Sequence, residues 1–70
     1  MKIEELISGR NDKGDVDIEG VSIPVLALKE LINDGYEHVK LYKENYTFSL
    51  WGKTCTACLT EEQLRQRTGS

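Results

Sequence analysis

Between His38 and Trp51 the chain alternates apolar and polar residues on both sides of the polar tetrapeptide Lys43-Glu44-Asn45-Tyr46, and few folds accept that pattern. A period of two is that of a β-strand, so the flanks read as antiparallel strands joined by a turn centred on Glu44-Asn45. With Lys43 opposite Tyr46, Leu41 faces Phe48 and Val39 faces Leu50, which makes one side apolar. The other side pairs Tyr42 with Thr47, Lys40 with Ser49 and His38 with Trp51. Any loop with an even number of residues keeps this match, whereas an odd one mixes the faces. All five aromatic residues (Tyr36, Tyr42, Tyr46, Phe48 and Trp51) fall in or beside this hairpin.

The segments before it are shorter. Met1 to Ser8 suits a short helix, with Ile3, Leu6 and Ile7 on one stripe and Gly9 as its stop. Arg10 to Gly14 is a polar turn. Val16 and Ile18 alternate with Asp15, Asp17 and Glu19, as a half-buried strand does. The parity then slips at Gly20, which predicts a bulge or a tight turn. Ser22-Ile23-Pro24 reads as a helix start, with Ser22 or Ile23 at the cap and Pro24 in the first turn. Val25, Leu28, Leu31 and Ile32 form the buried stripe of that helix, which ends at Asn33-Asp34-Gly35. After the hairpin, Gly52-Lys53 turns the chain, and Thr54 to Leu59 fits either a short strand or an irregular loop. Thr60 and Gln63 have the spacing of a capping box that opens a last helix through Leu64 to Arg67.

These elements predict one small α+β domain over residues 1–70: a three- or four-stranded, mainly antiparallel sheet with a central helix on one face and short terminal helices. A chain of 70 residues buries only about 60% of the surface its unfolded form exposes. Its core must be thin, and a disulfide, a metal or a partner subunit is a plausible supplement. Hydrophobic residues at 39% and charged residues at 30% are those of an ordinary globular domain. No apolar run approaches the roughly 20 residues of a membrane span. Residues 1–8 carry Glu4 and Glu5 and lack a cleavage pattern, so no secretion signal is expected and a cytoplasmic location is.

Charge is uneven. Residues 1–37 hold nine acids against four bases, and residues 38–70 hold three acids against five bases. A surplus of two positive charges is too small to serve as a nucleic-acid footprint on its own. Cys55-Thr56-Ala57-Cys58 has the spacing of two ligands on one metal. A closed zinc site needs about four ligands, and the chain offers only His38 besides, so Cys55 and Cys58 would bind zinc only by bridging two copies. If the segment is a strand instead, the two cysteines point to opposite faces and act as small apolar fillers. A thioredoxin-like site is disfavoured, because the helix start at Thr60 follows both cysteines. A calcium loop begun at Asp15 fails at Leu26, where a bidentate glutamate belongs. His38 is the sole histidine and the glycines are scattered, so no catalytic constellation, phosphate loop or cofactor is expected.

What remains is the second face of the hairpin: His38, Lys40, Tyr42, Thr47, Ser49 and Trp51. Two large aromatics among polar groups match the composition of protein-binding hot spots. The expectation is a non-enzymatic protein-binding module, monomer or homodimer, that acts through the Tyr42/Trp51 face or an exposed sheet edge, in the size class of inhibitors and adaptors such as those made by phages and mobile elements. The alternative is a nucleic-acid-binding regulator using Lys40, Lys43, Lys53, Arg65 and Arg67. Terminal helices folded over this face would make it core, and the exposure of Trp51 separates the two cases.

Overall fold

A computed structural model describes residues 1–68. Its elements are α1 (Ile3–Ile7), β1 (Asp15–Ile18), β2 (Val21–Pro24), α2 (Val25–Asn33), β3 (His38–Tyr42), β4 (Thr47–Trp51), β5 (Thr56–Thr60) and α3 (Glu61–Arg65), with a last 3-10 turn over Gln66–Thr68. The class is α+β as expected. The strands, however, divide into two antiparallel sheets, a β1–β2 ribbon and a three-stranded sheet in the order β3-β4-β5. The three-stranded antiparallel sheet expected from the sequence is present, and the β1–β2 ribbon forms a second sheet in addition to it.

The β3–β4 register runs from His38 opposite Trp51 to Tyr42 opposite Thr47, as the alternation predicts. The loop of residues 43–46 places Tyr46 at φ 52°, and Thr47 Oγ1 donates to Asn45 Oδ1 at 2.6 Å.

The tight turn that Gly20 offered as one of two readings is present, and it joins two strands. Glu19 and Gly20 both have positive φ (51° and 94°), and Ile18 pairs with Val21 and Val16 with Ile23. This is the geometry of a two-residue type I′ turn, whose twist matches that of the strands. The parity slip at Gly20 is therefore a chain reversal, which returns Ile23 to the side that Val16 occupies. Ser22-Ile23-Pro24 consequently belongs to β2 and not to a helix start. The cap of α2 is Pro24 itself, extended and without a side-chain hydrogen bond. Val25 N donates instead to Gly14 O at 3.0 Å, so a loop carbonyl satisfies one of the helix's first N–H groups.

Helix α2 buries Val25, Ala27, Leu28 and Leu31 and leaves Ile32 half-buried. It ends in a Schellman motif: Tyr36 N donates to Leu31 O and Gly35 N to Ile32 O, both at 3.0 Å, with Gly35 at φ 105° in the left-handed region that glycine enters without a Cβ clash. At the other end of the chain the segment left open by its sequence is the strand β5. Its last residue, Thr60, forms the capping box: Gln63 N donates to Thr60 Oγ1 at 3.2 Å and Thr60 N to Gln63 Oε1 at 2.9 Å.

One core joins everything. Ile3 from α1, Val16, Ile18 and Ile23 from the ribbon, Leu28 and Leu31 from α2, Val39, Leu41, Phe48 and Leu50 from the sheet, and Leu64 from α3 are all buried in a single cluster. No polar or charged residue is buried among the described residues, so this core is held by apolar burial alone. The N-terminal segment lies along β3: Val39 N donates to Met1 O at 2.9 Å, Ile3 N to Glu37 O at 3.0 Å, and the Met1 amino group to Val39 O at 3.0 Å. That pairing seats Ile3 in the core. At the far end Arg67 pairs with Asp34 after α2, and Arg65 Nη2 donates to Ser22 O of β2 at 2.8 Å. Among the described residues no helix is long and apolar enough to cross a membrane.

Candidate functional site

Because Val39, Leu41, Phe48 and Leu50 turn inward, the alternate residues of the sheet turn outward. The two registers align them in three rows: His38–Trp51–Thr56, Lys40–Ser49–Cys58 and Tyr42–Thr47–Thr60. The six residues singled out in the hairpin thus share one surface, and β5 adds a third column to it. None of the nine is buried. The terminal helices place Ile3 and Leu64 in the core on the other side of the sheet and leave this face open.

The rows differ in chemistry. The rings of His38 and Trp51 stack with centroids 5.4 Å apart and planes 14° apart. Trp51 is half-buried, and the His38 ring lies against one face of it. Lys40 Nζ sits 5.3 Å from the centroid of the Tyr42 ring, within the range of a cation–π contact, and Tyr42 is 47% exposed. Hydroxyls of Thr47, Ser49, Thr56 and Thr60 fill the remaining positions. No carboxylate is among these nine side chains, in a chain that holds twelve acidic residues. The face can therefore stack planar groups, donate and accept hydrogen bonds, and carry a modest positive charge.

Cys58 stands on this outer face. Cys55 lies just before β5, and its sulfur would be 3.5 Å from a Cβ placed on Gly35, so it packs against the turn after α2. Strand parity puts it on the side of Ala57 and Leu59, away from Cys58. Both thiols are free, and among the described residues no three His, Cys, Asp or Glu side chains gather where they could hold a metal ion. The five cations of the nucleic-acid reading are dispersed: Lys40 is on the face, Lys43 in the hairpin loop and Lys53 in the next turn, while Arg67 and Arg65 engage Asp34 and Ser22.

Two features escaped the sequence. The column Thr56, Cys58 and Thr60 was hidden by the ambiguity of its segment. A groove of about 380 Å³ beside His38, lined by Lys2, Glu4, Tyr36, Glu37 and Lys53 among others, arises only where the N-terminal segment meets two distant turns. Its two lysines and two glutamates balance, so it favours neither ion sign. No protein-family model matches this chain, and neither a curated protein nor a solved structure is significantly similar to it.

Proposed function

We propose that this protein is a non-enzymatic module that binds another protein through the outer face of its three-stranded sheet, acting as an inhibitor or adaptor. The observation that carries this reading is the open face itself, with Tyr42 and the stacked His38–Trp51 pair ordered by strand pairing and covered by no helix. Aromatic anchors held on a rigid sheet lose little conformational entropy on docking, and the surrounding hydroxyls supply a polar rim. We also place the protein in the cytoplasm, where two free thiols suit a reducing compartment. The absence of carboxylates from the face favours one second reading, a stacking platform for single-stranded nucleic acid.

One experiment separates them. A photo-crosslinking amino acid is placed at Lys40 on the face or at Glu30 on the exposed side of α2. Adducts to another protein are expected from position 40 only, and they should disappear with Tyr42→Ala and Trp51→Ala while circular dichroism stays native. Nuclease-sensitive adducts would transfer the reading to nucleic acid. Equal labelling from both positions would overturn both.

A further inference from the structure

The two edges of the three-stranded sheet are finished differently. The edge of β3 is occupied, since Val39 exchanges both its backbone groups with Met1. That exchange also fixes the parity of the whole sheet. With Val39 pointing away from β4, His38, Lys40 and Tyr42 are the residues that bond across to Trp51, Ser49 and Thr47. Phe48 and Leu50 then direct their backbone groups to Leu59 and Ala57, and Thr56, Cys58 and Thr60 direct theirs to the open side of β5. Thr60 N–H is taken there by Gln63 Oε1, which agrees with this parity. Among the described residues, the Thr56 and Cys58 backbone groups meet no other segment on that side.

Natural sheets guard such an edge with charges, proline or a bulge. Strand β5, Thr-Ala-Cys-Leu-Thr, has no charge, no proline and no left-handed residue. We propose that it pairs with the β5 edge of a second copy of this chain, antiparallel about a two-fold axis at Cys58, so that two three-stranded sheets become one continuous sheet.

Three features of the strand select a second copy as the occupant. Its sequence is palindromic in character about Cys58: Cys58 exchanges both backbone groups with Cys58 of the second copy, and the axis sets the Thr56 side chain against that of Thr60 on the outer side, a favourable cross-strand pair, although the Thr60 N–H stays with Gln63. On the core side it sets Ala57 against Leu59, both half-buried in the single chain, and each gains apolar cover. The charges at the ends are complementary, because Lys53 precedes the strand and Glu61 and Glu62 follow it. Antiparallel approach brings the lysine of one copy to the acids of the other at both ends. Such self-complementarity is what an isologous two-fold contact requires. Since the axis is perpendicular to the sheet, both outer faces end on the same side, and the Tyr42/Trp51 surfaces of two copies lie in one plane. This assembly does not depend on what that surface binds.

A short edge buries less than the roughly 1,200 Å² of a standard interface, so the dimer should dissociate on dilution. Sedimentation equilibrium under reducing conditions should show the mass rising with concentration from 7.9 kDa toward twice that value. Cys58→Lys and Cys58→Glu, each at an exposed side chain, should stay folded and monomeric because like charges meet at the axis; their equimolar mixture should recover the dimer. As a second handle, a Cys55→Ser protein treated with a short bis-maleimide should cross-link through Cys58. A wild-type mass that stays monomeric at every concentration would overturn the proposal, and so would a dimer indifferent to both charge variants. Neither result bears on cross-linking from position 40, so failure of the dimer and failure of the binding face are read separately.

Discussion

The β1–β2 ribbon and the β3–β4 hairpin are built on the same inward pattern. The ribbon turns Val16, Ile18 and Ile23 into the core, and the hairpin turns in Val39, Leu41, Phe48 and Leu50. Their outward residues differ. The ribbon presents Asp15, Asp17, Ser22 and Pro24, while the hairpin presents His38, Lys40, Tyr42, Thr47, Ser49 and Trp51. Inward residues answer to packing, so the two hairpins resemble each other there. Outward residues are released from packing: on the ribbon they are acids and a proline, which keep an edge soluble and unpaired. Nothing in solubility asks for a tryptophan and a tyrosine on the hairpin's wet side. That difference is the basis for proposing the hairpin as the binding surface and giving the ribbon a supporting role.

The sharpest way to break the comparison is through the core the two regions share. Phe48→Ala should cost about 3–5 kcal/mol, a large part of the stability of any domain this small. Val21→Ala in the half-buried end of the ribbon should cost about 1 kcal/mol. Urea denaturation of both variants gives the ratio. If Val21→Ala proved the more damaging, the ribbon and not the sheet would be the keystone of the fold. A smaller change tests the outward side. His38→Ala removes the stacked partner of Trp51 and should cost about 0.5–1.5 kcal/mol. Because Trp51 is the sole tryptophan, its fluorescence should shift to the red as water reaches the ring. An unchanged spectrum would mean that the stack does not shield it.

How legible each region was follows from how local its determinants are. The hairpin register could be read because a period of two and an even loop fix it within fourteen consecutive residues, His38 to Trp51. The six residues of its outer face came with that register. The third column did not, since Thr-Cys-Thr-Ala-Cys-Leu-Thr alternates small side chains too similar in hydrophobicity to declare a face. Strand β2 was obscured because Val-Ser-Ile ahead of Pro24 also fits the start of a helix, and α2 follows with no intervening loop. The lodging of Met1–Ile3 against β3 depends on backbone contacts between residues 34 to 38 positions apart. No periodicity within a segment encodes such contacts.

The ribbon's turn, one of the two readings its sequence left open, supplies the mildest test. A type I′ turn places both central residues at positive φ, and asparagine followed by glycine is its strongest sequence signal. Here the first position is Glu19, at φ 51°, a conformation that costs an ordinary L-residue roughly 1–2 kcal/mol and asparagine less. Gly20 alone, with an alternation that changes sense behind it, signals a bulge as readily as a reversal. Glu19→Asn should relieve part of that strain and leave the packing untouched, because Glu19 is exposed. The expected gain is about 0.5 kcal/mol, seen as a small rise in Tm with an unchanged denaturant slope. Since the ribbon's outer surface plays no part in the proposed contacts, cross-linking from position 40 and the dimer mass should both stay as in the wild type. A stabilised variant that lost either would show that the ribbon does more than close the core.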